Sequence, residues 1–248
     1  MIKVLLFSDT HYSPEPDTDP HPLEKAISHA NHHHGDADLS IFLGDLVMAG
    51  RISEYRAIAA ILQKLARPYR LMLGNHDNRD AFSRVFGQHG TDADGYVQTA
   101  VNLDNLKFLL MDTNLPGQDR GTVDAGRLKW LEQALAAADR PCCICMHHPP
   151  APTLLPAYDA IGLINPHPLI DLMKRYRDRI YQIIHGHCHM PFSGSVSGIP
   201  VTGIGAVCNP ALPNSKESRF IEHPNGRPVY GILVSDGQSV AVHTIYCD

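Results

Sequence analysis

Five short stretches of this 248-residue chain hold side chains of the kinds that bind metal ions. The first contains Asp9, Thr10 and His11, and the second Gly44 and Asp45. The third is Gly74, Asn75, His76 and Asp77; the fourth is His147, His148 and Pro149. The fifth is Gly186, His187, Cys188 and His189. A lone Asp or His of this sort is usually a cap or a turn residue. Carboxylates, imidazoles and one amide gathered at a single place would instead suit borderline metals such as Zn, Mn or Fe. Asp9 and His11 are two positions apart, as are His187 and His189. In extended backbone such residues point the same way, so each pair is expected to face one pocket. The glycines that precede Asp45, Asn75 and His187 permit sharp turns and close approach.

The elements that must position these stretches are legible in the apolar pattern. Each stretch follows an apolar run that reads as a buried strand: residues 2–7, 39–43, 69–73, 142–146 and 180–184. Ligand sites in open α/β sheets lie beyond the carboxyl ends of strands, so five distant segments would deliver their polar residues to one rim. Helical spacing covers 23–33, 52–65, 79–86, 124–138 (with Asp124 as N-cap) and 166–176. Residues 96–101 and 107–111 read as paired strands, with the turn at Asp104 and Asn105. After about 191 the pattern changes to short strands at 199–204, 229–234 and 240–245. The expected fold is α/β, with two facing mixed sheets flanked by helices. One domain is expected over 1–248, its strand-rich part from about 191 shaping the pocket or a dimer interface.

Bulk properties narrow the partners. Hydrophobic residues make up 44% and charged residues 19%, which fits a globular chain and not a disordered one. The net charge is -5 and no basic block occurs, so no track for a nucleic-acid duplex is expected. An anionic substrate would need local positive charge, which bound metals would supply. The apolar run at the N-terminus is too short for a membrane span and lacks the layout of a signal peptide. No membrane partner and a cytoplasmic location are expected. The six cysteines include no CxxC pair and read as buried free thiols in a reducing compartment.

The order D-x-H, G-D, G-N-H-D, H-x-P, G-H-x-H resembles the calcineurin-like metallophosphoesterase superfamily. Within it, the chain is similar to class III cyclic nucleotide phosphodiesterases and their glycerophosphodiesterase relatives. The motifs run from Asp9 to His189. This resemblance implies an αββα sandwich and two metal ions per chain, from among Fe, Mn and Zn. Asp9, His11, Asp45 and His189 would hold one ion; Asp45, Asn75, His147 and His187 would hold the other. Asp45 would bridge them, with a water or hydroxide as second bridge. His76 would face the substrate phosphate and Asp77 would orient it. The H-x-P pattern selects His147 over His148, although spacing alone leaves the two interchangeable.

The implied activity is hydrolysis of a small phosphodiester, of cyclic nucleotide or glycerophosphodiester type, by a homodimer. The alternatives are a phosphomonoesterase or nuclease of the same superfamily, or a non-catalytic interaction scaffold. A nuclease would need a basic track, and a scaffold would be expected to lack ligands that are all present here. Loops 13–22, 153–165 and 208–224 are expected to set the choice of substrate. His185 reads as a core or supporting residue, Cys188 as facing away from the ligands, and His32, His33 and His34 as a solvated helix end. Arg51 and Arg79 read as surface ion-pairing residues, with contact to a substrate phosphate as the other option.

Overall fold

A computed structural model describes residues 1–14, 21–216, 220–222 and 226–248. Parts of the 13–22 and 208–224 loops therefore lie outside the described residues. In chain order the strands are β1 (Ile2–Phe7), β2 (Leu39–Phe42), β3 (Tyr69–Leu71), β4 (Thr99–Leu103), β5 (Leu106–Leu110), β6 (Cys142–Met146) and β7 (Ile180–His185). They continue with β8 (Phe192–Val196), β9 (Ile199–Gly203), β10 (Ala211–Leu212), β11 (Ile221–Glu222), β12 (Val229–Ser235) and β13 (Val240–Tyr246). The helices are α1 (Pro22–His33), α2 (Ile52–Leu62), α3 (Arg79–Phe86), α4 (Ala125–Ala136), α5 (Pro156–Ala160) and α6 (His167–Arg175).

Two mixed sheets form the centre, as expected. One has the order β13-β12-β1-β2-β3 and the other β4-β5-β6-β7-β9-β8. Strands β1, β2 and β3 run parallel, and β12 joins β1 antiparallel through Leu5 opposite Ile232. In the second sheet β5, β6, β7 and β9 are parallel, with antiparallel β4 and β8 at its edges. The C-terminal strands thus complete the first sheet.

Alternation along the strands builds the layers. Val4 and Leu6 of β1 join Ile41, Phe108, Cys143 and Cys145 in the core between the sheets. The intervening Leu5 and Phe7 pack with Leu23, Ile27, Tyr55 and Ile58 of α1 and α2. In β6, Cys142, Ile144 and Met146 pack instead with Leu131 of α4 and Leu172 of α6. Strands buried on both faces read as continuous apolar runs, which is why these were visible in sequence. Cys142, Cys143, Cys145, Cys188 and Cys247 are buried free thiols, as expected, and Cys208 is half-buried. Burial pushes the Cys143 thiol up to about 12, well away from reactivity at neutral pH.

Several boundaries differ from expectation. Helix α2 stops at Leu62, before Gln63 and Lys64 turn the chain toward Pro68. Strand β8 was missed: Phe192–Val196 carries two serines and a glycine, and it is an edge strand paired only with β9. The short α5 fell inside the expected 153–165 loop. No helix among the described residues is long and apolar enough to cross a membrane.

Candidate metal centre

The loops leaving β1 and β2 run side by side beyond the sheet. His11 N donates to Asp45 O at 2.9 Å, and Tyr12 N donates to Leu46 O at 3.0 Å. Gly186 N donates to His147 O at 3.1 Å, which ties the loops after β6 and β7. His187 N reaches Asp9 Oδ2 at 3.1 Å and so joins the two sheets at the rim. Five of the expected ligands adopt left-handed backbone: Asp9 (φ 52°), His11 (φ 38°), Asp45 (φ 50°), His187 (φ 67°) and His189 (φ 53°). This corrects the expectation of extended backbone at Asp9/His11 and His187/His189. The pairs converge through turns, because each chain must bend off its sheet toward the other. Such conformations cost on the order of 1–3 kcal/mol per non-glycine residue, and they cluster where function constrains the backbone.

The glycines allow the segments to approach. Gly44 is itself left-handed at φ 104°. A Cβ on Gly74 would collide with the Asp45 carboxylate and lie 2.6 Å from His147 Nε2. The ligand loops pass too closely there for any side chain.

The side chains meet as two overlapping groups. His11 Nε2 lies 3.0 Å from His189 Nε2, and Asp9 Oδ1 lies 3.5 Å from His189 Nε2. Asn75 Oδ1 lies 3.1 Å from His147 Nε2 and 3.0 Å from His187 Nδ1. Asp45 spans both: Oδ2 is 3.6 Å from His11 Nε2 and 3.4 Å from His147 Nε2. Asp9, His11 and His189 form one set able to hold a cation; Asp9, Asp45 and His147 form another.

Remote carbonyls fix which ring nitrogen is free. His147 Nδ1 donates to Leu43 O at 2.9 Å and His189 Nδ1 to Asn209 O at 2.9 Å, leaving Nε2 of each ring to face the cluster. His187 is reversed: Nε2 donates to Ile161 O at 3.1 Å, so Nδ1 faces Asn75. Such partners orient metal-binding imidazoles and select the tautomer. His148 differs, because both nitrogens are taken, Nδ1 by Thr113 Oγ1 at 2.8 Å and Nε2 by Asp119 O at 3.2 Å. His148 nonetheless lies with His147 and His187 in one group able to hold a cation, so the preference for His147 stays with the H-x-P resemblance. His185 is buried, with Nδ1 donating to Gly186 O, and packs against Phe192 as a core residue.

The electrostatics fit cation binding. Burial lowers His11 to about 4, so it is neutral with a lone pair, and its buried Nδ1 has no partner. Burial and the neighbouring His148 and His147 hold His187 well below its ordinary value. Burial alone would raise Asp45, but the imidazole of His147 outweighs it and holds the carboxylate well below its usual range. Burial would likewise lower His147, yet Asp45 lifts it from 6.5 to about 9. In the metal-free protein His147 thus carries a proton that a cation must displace. Metal affinity should rise as pH increases toward 9, with proton release on binding. Calorimetry in buffers of different ionisation enthalpy checks this; binding without proton release at pH 7 would refute it.

Two corrections concern the neighbours. The Met48 carbonyl, not Asp77, holds His76: Nδ1 donates to Met48 O at 2.8 Å. Asp77 is buried and faces the other way, accepting from Leu46 N (3.1 Å), Gly74 N (2.9 Å) and Tyr55 Oη (2.8 Å). Burial, then the charge of Asp45, pushes Asp77 up to about 7. Its role is to clamp the loops that carry Asp45 and Asn75.

Arg79 is the second correction. It is not a surface cation; it makes a bidentate pair with fully buried Asp112, Nε and Nη2 both reaching Oδ2 at 3.0 and 2.9 Å. Arg127 joins at 3.8 Å and bonds Asp124 at 3.0 Å. Beside them, Asn114 donates to Gly74 O at 2.6 Å and Asp77 O at 3.1 Å, supporting the Asn75 loop from behind. Sequence reading missed Asp112 and Asn114, though polar residues directly after the β5 strand were the same signal used elsewhere. Arg79→Ala should lose about 3–5 kcal/mol of stability, because it strands a buried carboxylate. Urea unfolding checks this; a loss under about 1 kcal/mol would mean Arg127 suffices as the partner.

A two-sheet α/β sandwich that gathers carboxylates, imidazoles and an amide at one rim defines a metal-dependent hydrolase. The chain belongs to the calcineurin-like phosphoesterase family, whose profile matches residues 2–191. It is 36% identical over 208 residues to a probable cyclic nucleotide phosphodiesterase of Rhodopseudomonas palustris, covering 80% of this chain and 76% of the relative. Identity is 27% over 198 residues, 79% of this chain and 71% of the relative, with a 3',5'-cyclic adenosine monophosphate phosphodiesterase of Pseudomonas aeruginosa. A glycerophosphodiester phosphodiesterase of Enterobacter lignolyticus is 32% identical over 157 residues, 61% of this chain and 56% of that one. A purple acid phosphatase from yellow lupin seeds shares the fold, with TM-score 0.75 and 14% identity over 99% of this chain and 51% of that one.

Proposed function

We propose that this metallophosphoesterase is a dinuclear phosphodiesterase acting on a small phosphodiester. Asp9, His11, Asp45 and His189 would hold one cation, and Asp45, Asn75, His147 and His187 the other. The observation that carries the reading is the position of Asp45, whose one carboxylate lies 3.6 Å from His11 Nε2 and 3.4 Å from His147 Nε2. When bound, two such cations supply charge neutralisation for a phosphoryl group and acidify water enough to give a nucleophile at neutral pH. The nitrogen and oxygen donors suit Fe, Mn or Zn.

The chain's own residues do the remainder. Asp45 Oδ1 accepts from His76 N at 2.8 Å, which fixes the carboxylate and the His76 backbone together. His76 is exposed to the cavity, and its Nδ1 is committed to Met48 O. Nε2 is therefore the atom at which a proton is held or moved, donating to a phosphate oxygen or to the leaving alkoxide. Asp77, Asn114 and Arg79 hold the loops in register and touch no substrate.

The test is a panel on the metal-loaded protein, comparing cyclic AMP, glycerophosphodiesters and phosphomonoesters by kcat/KM. Diesters should lead, and a preference for monoesters would overturn the reading. The homodimer rests on the resemblance alone.

A further inference from the structure

The cavity beside the cluster, about 260 Å³, is lined in two chemistries. One part is His11, Asp45, Asn75, His76, His187 and His189; the other is Met48, Tyr158, Ile161, Ala211 and Phe220, with Asn209 between. Met48 apart, the apolar residues come from the 153–165 and 208–224 loops, two of those expected to set the choice of substrate. Tyr158 belongs to α5, and Phe220 directly precedes β11. Their rings pack at 4.9 Å between centroids, tilted by 60°. Tyr158 is buried against Cys188 and Met190, in the loop that carries the ligands His187 and His189. It is thus a fixed support. Phe220 rests on it and remains 53% exposed, so a large apolar surface faces a polar cavity.

Among the described residues, the same lining contains no Lys or Arg. Arg79 and Arg127 are already bound to Asp112 and Asp124. Beyond the phosphoryl position the described lining therefore sets no cationic side chain against a second phosphate or a carboxylate. It offers an aromatic face, a polarisable thioether and a branched alkyl group.

We propose that Phe220, supported by Tyr158, forms a subsite for a flat heteroaromatic ring on a singly charged diester, such as the base of a nucleoside cyclic monophosphate. This rests on the phosphodiesterase reading and selects among its substrates. Stacking on aromatic side chains tolerates any base, because every base has a π face. Met48 and Ile161 line the space around the ring. A quaternary ammonium also favours aromatic rings, so the experiment compares a nucleotide with a choline diester.

The experiment uses the full chain with metals loaded. Phe220→Ala should raise KM for 3',5'-cyclic AMP about tenfold with kcat nearly unchanged, leave glycerophosphocholine unaffected, and be restored by Phe220→Trp. In the Phe220→Trp variant, adenosine should quench the added indole emission saturably, and glycerol should not. This second readout needs neither metal nor turnover. Equal losses on both diesters, a KM rise confined to glycerophosphocholine, or absence of quenching by adenosine would overturn the subsite while leaving the phosphodiesterase reading standing. Wild-type protein that hydrolyses neither diester would sink that reading, and the adenosine quenching would still report on the subsite.

Discussion

Asp45→Asn will lose metal and turnover together, with kcat/KM falling by at least about a thousandfold. The substitution keeps the shape of the side chain and an oxygen able to accept from His76 N, so the loop need not move. What it removes is the negative charge shared between His11 and His147, 3.6 and 3.4 Å away. Asp45 is 2% exposed, so water does little to replace that charge. Metal analysis after dialysis should find one ion or fewer per chain. In the metal-free variant, His147 should titrate below about 9, because burial would then be opposed only by Asp9 and the Leu43 carbonyl. A variant that retains both metals and a rate within about tenfold of wild type would remove the bridging role of Asp45.

The second large effect separates chemistry from metal binding. His76→Ala should keep its metals and lose about 10²–10⁴-fold in kcat, the range expected for a positioned general acid or hydrogen-bond donor. Alanine preserves the backbone N–H that donates to Asp45 at 2.8 Å, so the ligand geometry survives. It deletes only an exposed imidazole held by Met48 and packed edge-on to His11, 4.6 Å between ring centroids. His76 also lies close enough to His11 and Asp45 to be read as a third donor to one ion. Loss of a metal ion from the variant would assign it that role. Full activity with metals confirmed would deny it any role in the reaction.

Asp77 is a warning about adjacency in sequence. It follows His76 and was expected to orient it, yet the carboxylate turns into the interior while the imidazole stays exposed. Tyr55 of α2 draws Asp77 into the interior, 2.8 Å from its hydroxyl, while Met48 takes His76. Neighbours in a tight turn point apart, and neither partner is local in the chain.

The sequence by itself determined which polar residues gather at one rim and that strand ends deliver them. Burial on both faces of a strand demands an unbroken apolar run, as in residues 4–7 and Cys142–Met146, so the end of each run marks the rim. The polar residues that follow were legible because solvent contrast writes itself into local composition. Tertiary structure alone decided the rest. Leu43 O meets His147 Nδ1 from 104 positions away, and Thr113 and Asp119 occupy both ring nitrogens of His148. The Tyr158–Phe220 contact likewise joins two loops whose own composition signals no structure. A hydrogen bond or ring contact depends on positions in space to within a few tenths of an ångström. The pattern of apolar and polar residues along a chain specifies which face is buried, and not which distant carbonyl will be waiting there.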